Sequence, residues 1–89
     1  MQDVDPKDPK VIEIAKFALN EFNKKETHNY QLREVDEVTT FPNVDGVSFH
    51  LHITTNEFDT ISYHLAIVVV RSNNVKKLVA FDGSGFIET

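Results

Sequence analysis

Pro9-Lys10-Val11-Ile12-Glu13-Ile14-Ala15-Lys16-Phe17-Ala18-Leu19-Asn20-Glu21-Phe22-Asn23 is the stretch on which the fold turns. Val11, Ala15, Ala18 and Phe22 recur at i, i+4, i+7 and i+11, flanked by Ile12, Ile14 and Leu19, while Glu13, Lys16 and Asn20 are left for water. That period belongs to an amphipathic helix with a broad apolar face. Asp8 stands where a carboxylate caps the first amides, and Pro9 takes the first helical position, where its missing N–H costs nothing. Asn23, Lys24 and Lys25 place an αL-tolerant residue and positive charge at the other end, so the helix is expected to stop near them. A face this broad must be covered by a sheet or by further helices.

Beyond Thr27 the period changes from helical to alternating, and β-branched and aromatic residues multiply. Tyr30 to Thr40 reads as a first strand whose apolar positions switch parity between Leu32 and Val35, which calls for a bulge. Pro42 to Gly46 follows as a turn, with Asp45-Gly46 as its hairpin dipeptide and Gly46 supplying φ > 0. From Val47 to Ile53 the alternation is clean: Val47, Phe49, Leu51 and Ile53 face inward, and Ser48, His50, His52 and Thr54 outward. Thr55 to Asp59 is a polar loop around Phe58. Ile61, Tyr63, Leu65, Ile67 and Val69 are expected to supply the next inward face, leaving Ala66, Val68 and Val70 as an outward apolar strip. The chain then turns at Ser72-Asn73-Asn74 and returns as Val75 to Phe81, with Phe86-Ile87 adding a few paired residues. One helix followed only by strands on short turns predicts an α+β fold, with a four- to five-stranded antiparallel sheet wrapping the helix.

The 89 residues suit a single domain over 1–89, with residues 1–8, acidic and Pro-bearing, as a mobile N-terminal arm. There is no cysteine. Disulfides and thiolate metal sites are therefore excluded, and stability must come from packing. A net charge of -5 without a basic face argues against a nucleic-acid partner. The longest apolar run, Leu65 to Val70, is too short to span a bilayer, and Met1 to Lys10 lacks the apolar core of a signal peptide, so the expected location is cytoplasmic.

The segment Ile14 to Asn23, continued by Lys24-Lys25-Glu26, resembles the helix signature of plant cystatins, which reads Leu-Ala-Arg-Phe-Ala-Val, two further residues, an aromatic or His, then Asn. Strand order and hairpin spacing extend the resemblance from Val11 to Phe81. It implies a cystatin-like fold and an inhibitor of papain-like cysteine proteases, which occludes the active-site cleft with a wedge of N-terminal arm and two hairpins. The arm carries a Gly in the family, and this chain has none before Gly46. The first hairpin carries Gln-x-Val-x-Gly; here Pro42-Asn43-Val44-Asp45-Gly46 keeps Val44 and Gly46 and puts Pro42 for the Gln. The second carries Pro-Trp, where Ser72-Asn73 stand. The resemblance thus implies protease contacts at Pro42, Asn43, Val44, Asp45, Gly46, Ser72 and Asn73, and weak inhibition, because a large aromatic anchor is missing. The alternative is a non-inhibitory cystatin-fold module that binds another protein through the same edge or its outward apolar strip.

His50 and His52 share a strand face, and a three-residue loop at Asn56 to Phe58 would set His50 opposite His64 with His52 diagonal to it. Three imidazoles on one wet face form a weak candidate for a divalent metal, against the plainer reading of solvated polar residues. No cofactor is otherwise implied. Ser48, Ser62, Ser72 and Ser84 lack a base or a strand-to-helix elbow, Gly83-Ser84-Gly85 opens no helix, and Glu34, Asp36 and Glu37 read as a solvated acidic face, so a binder and not an enzyme is expected.

Overall fold

The computed structural model describes residues 2–85. Helix α1 runs Pro9–Glu26. Asp8 caps it as its chemistry requires, Oδ1 accepting from the Lys10 amide at 2.9 Å, and Pro9 opens the first turn. Such a cap contributes about 1 kcal/mol. The helix outlasts Asn23 and ends on Thr27, in the left-handed conformation at φ 56°. Asn23 is helical, and its side chain reaches out of the helix: its amide donates to the Tyr30 carbonyl and its oxygen accepts from the Tyr30 amide, both at 3.0 Å. This two-bond clamp turns the chain from the helix into the sheet.

Strands β1 (Gln2–Asp3), β2 (Gln31–Asn43), β3 (Gly46–Glu57), β4 (Thr60–Arg71), β5 (Lys76–Phe81) and β6 (Ser84–Gly85) form one antiparallel sheet in sequence order. Four are long and two are short edge pieces, so the architecture is α+β with a wrapped helix. The sequence predicts no regular structure before Asp8. Gln2 and Asp3 nonetheless pair with Thr40 and Thr39, and the Val4 amide donates to Val38 O at 3.3 Å. Phe86 and Ile87 lie outside the described residues. Strand β2 carries the expected irregularity between Leu32 and Glu34 and a second between Val35 and Glu37. No helix among the described residues is long and apolar enough to cross a membrane.

The largest departure from expectation lies in β4. Phe58 and Asp59 alone connect Glu57 to Thr60, with Phe58 at φ 57°, in place of a three-residue loop. One residue fewer in the turn inverts which side chains of β4 face the core. Ala66 and Val68 are buried completely, whereas Ile61 and Tyr63 are exposed and Leu65, Ile67 and Val69 only half-buried. The outward apolar strip is therefore the odd-numbered set, and Ala66, Val68 and Val70 lie against the core. Strand β3 follows its alternation, with Leu51 and Ile53 buried. Helix residues Val11, Ile14, Ala15, Ala18 and Leu19 close the core from above.

Candidate functional site

Strand β2 runs toward its hairpin with β3, and β4 runs back toward its hairpin with β5, so both turns emerge at one end of the sheet. Antiparallel pairing with Thr39 and Thr40 brings β1 toward the same end. The first hairpin closes with Asn43 opposite Gly46, which leaves Val44 and Asp45 at the tip. Asn43 shapes it: Oδ1 accepts from the Val44 amide at 3.0 Å, and Nδ2 donates to Ser48 Oγ at 3.1 Å. Val44 is 99% exposed, the extreme for a large apolar side chain among the described residues. An aliphatic side chain held out on a braced tip is free to be buried against a partner.

The second hairpin is closed by the Arg71 amide donating to Val75 O at 2.9 Å and the Asn74 amide donating to Arg71 O at 2.8 Å. Asn74 takes the left-handed conformation, φ 65°. Val75, expected as the first residue of the returning strand, instead lies in this turn and is half exposed. The αL-tolerant Asn-Asn pair before it was the available signal. A groove of about 860 Å³ lies behind the two tips, floored by Ile14, Phe49 and Val70 and bordered by Lys10, Arg71 and Lys76. Lys76 reaches Glu13 across it at 3.8 Å.

The structure thus brings all seven predicted contact residues, Pro42 to Gly46 with Ser72 and Asn73, to one end of the molecule. It corrects the role given to Gly46, whose φ is not positive. A Cβ there would sit 2.0 Å from Val70 O, so close approach of the neighbouring strand, and not turn geometry, demands glycine.

The three histidines do not converge. His50 lies opposite Ile67 and His52 opposite Leu65 on the outer face, His50 against the Phe41 ring at 4.5 Å. His64 pairs with Ile53 on the inner parity, because the short turn inverted β4. Among the described residues no group of three or more His, Cys, Asp or Glu side chains could hold a metal ion. His64 belongs to a cluster at the far end of the sheet, its ring 4.7 Å from Tyr30 and 5.1 Å from Phe81, with Phe22 stacked on Phe81 at 3.9 Å. Its Nδ1 meets Asp82 Oδ2 at 2.6 Å, and its buried Nε2 has no hydrogen-bond partner among the described residues. In the same region the Asn29 amide donates to Glu57 Oε2 at 2.6 Å. That bond holds the Glu57 carboxyl below its ordinary range; partial desolvation opposes it and His28 reinforces it. Desolvation, with smaller contributions from the Glu57 and Asp82 charges, raises the Tyr30 phenol above its usual value. These groups lie at the end remote from the hairpins.

Comparison with known families gives the inhibitor class of the chain as a whole. The family model described as SQAPI: Aspartic acid proteinase inhibitor matches residues 1–83. No curated protein matches the chain. The resemblance to cystatins is thereby overturned at the level of family, since no cystatin model matches, and with it the expectation of a papain-like target. The apolar stripe within Ile14 to Asn23 is what any amphipathic helix laid on a sheet requires, so it does not distinguish one family from another.

Proposed function

Because the chain belongs to the aspartic acid proteinase inhibitor family, we propose that it blocks an aspartic proteinase by seating its paired hairpins in the active-site cleft. The family is one of inhibitors and not of enzymes. The observation that carries the reading to this edge is Val44, an almost fully exposed aliphatic side chain on a braced two-residue tip. Burying a valine completely is worth about 1.5–3 kcal/mol, and a rigid tip gives up little entropy on docking. Val75 on the adjoining turn adds a second apolar contact. Pro42, Asn43, Asp45, Gly46, Ser72 and Asn73 form the rim around them.

Aspartic proteinases cleave with two carboxylates that share one proton, because like charges so close cannot both ionise. An inhibitor need not react with that pair; it need only fill the cleft with backbone that is turned where a substrate is extended. The layout of one helix across an antiparallel sheet supports a cystatin-like assignment of the fold, with a different protease class as target.

The test is a pair of titrations with purified protein, one against a pepsin-type aspartic proteinase and one against papain. Inhibition of the first, competitive with an active-site-directed transition-state analogue and weakened by Val44→Asp, is the expected result. Inhibition of papain alone, or inhibition of the aspartic proteinase undiminished by Val44→Asp, overturns the reading.

A further inference from the structure

The two hairpins are far apart in sequence, yet their tips are joined. The Ser72 amide donates to the Asp45 carbonyl at 3.0 Å, one step beyond the last paired residues, Gly46 and Arg71. Asp45 is half of the two-residue tip, so this bond grips the tip itself and not the strand beneath it. It forms because Gly46 lets the chains close. The Cβ of any other residue would meet Val70 O at 2.0 Å and the Arg71 Cα at 2.8 Å. From the opposite side, Asn43 holds the Val44 amide and Ser48.

We propose that the Asp45 carbonyl and Ser72 amide, given room by Gly46, act as a positioning latch that holds Val44 in its docking conformation. This rests on the hairpin reading of the preceding section. An isolated two-residue turn samples several conformers, and a partner that accepts one of them binds with an affinity reduced by the fraction of time that conformer is absent. The latch raises that fraction before the proteinase arrives. The gain therefore appears mainly in the association rate, since the contacts in the finished complex are the same.

Ser72→Pro removes the donor and leaves the strands beneath intact. It should weaken inhibition about two- to tenfold, the factor carried by one neutral hydrogen bond, with most of the loss in the association rate and the thermal midpoint nearly unchanged. Ser72→Ala, which keeps the amide, should recover the greater part of that loss. Amide exchange in the free protein gives a reading independent of any proteinase: Val44 should exchange faster in Ser72→Pro than in wild type. Gly46→Ala should weaken inhibition further, and Ser72→Pro decides the matter should that variant not fold. If Val44→Asp abolishes inhibition but Ser72→Pro matches wild type, the latch is refuted while the hairpin reading stands. If neither variant weakens inhibition, both fall. Equal losses in Ser72→Ala and Ser72→Pro would assign the effect to the hydroxyl and also refute the latch.

Discussion

Val68→Ala and Val69→Ala together test the strand register on which the whole arrangement depends. Val68 is completely buried between Phe49 on β3 and Leu78 on β5. Val69, its neighbour, pairs with Ser48 and Lys77 on the outer face and is only half-buried. Deleting two methyl groups from Val68 forfeits about 1.6 kcal/mol of transfer free energy. A residual cavity of roughly 50 Å³ adds about 1 kcal/mol where the walls cannot relax. The loss of about 2–3 kcal/mol should lower the thermal midpoint by roughly 10–20 °C in a domain of this size. The same deletion at Val69 should cost less than about 1 kcal/mol. Far-UV circular dichroism during urea and thermal unfolding reads both, with the denaturant slope as a check that unfolding stays two-state. A Val69→Ala loss equal to or greater than that of Val68→Ala would refute the inverted parity of β4 and the two-residue turn that causes it.

Further outcomes follow from other sites. Phe58 holds a positive φ of 57° and is mostly exposed, so Phe58→Gly relieves strain at little packing cost and should stabilise by up to about 1 kcal/mol; a clear loss in chemical denaturation would contradict this. Asn23→Ala leaves the Tyr30 amide and carbonyl without their clamp and should cost about 1–3 kcal/mol, read as a lower urea midpoint. The Glu57 carboxyl is depressed in the folded state, so its contribution is present above its ordinary value of 4.5 and is lost as pH falls through the lower folded one. Glu57→Gln should flatten the acid limb of the stability profile, and an unchanged limb would show that the Asn29 bond carries no weight. The Tyr30 phenol is raised above 10.0, so its contribution is intact below that pH and is lost as pH climbs through the folded value; Tyr30→Phe should remove that alkaline decline.

The helix was legible because its determinants are local. Asp8, Pro9 and the stripe from Val11 to Phe22 act through neighbours within a few turns, and they behave alike in any surroundings. Strand β3 was legible for a similar reason, since Ser48, His50 and His52 contrast with Val47, Phe49 and Leu51 in polarity. Its neighbour offers no such contrast. From Leu65 to Val70 every residue is apolar, so composition permits either face to turn inward, and the choice falls to a turn one residue shorter than expected. The small side chains won the core because Ala66 lies with Ala15 and Ala18 in the cluster beneath the helix, all fully buried, and larger ones there would hold helix and sheet apart. The parity then decided the rest: His64 went inward to Tyr30, Phe81 and Asp82, away from His50 and His52. The hairpin residues from Pro42 to Gly46 could be named from sequence, but the reason for Gly46 could not. A glycine required by its own φ is a local matter, whereas one required by Val70 O, distant along the chain, exists only once two strands have been brought together by burial of the core. Sequence alone thus determined the elements whose causes lie within a turn or two of themselves, and tertiary structure decided which faces and which tips met, because those depend on side-chain volumes and turn lengths summed over the whole sheet.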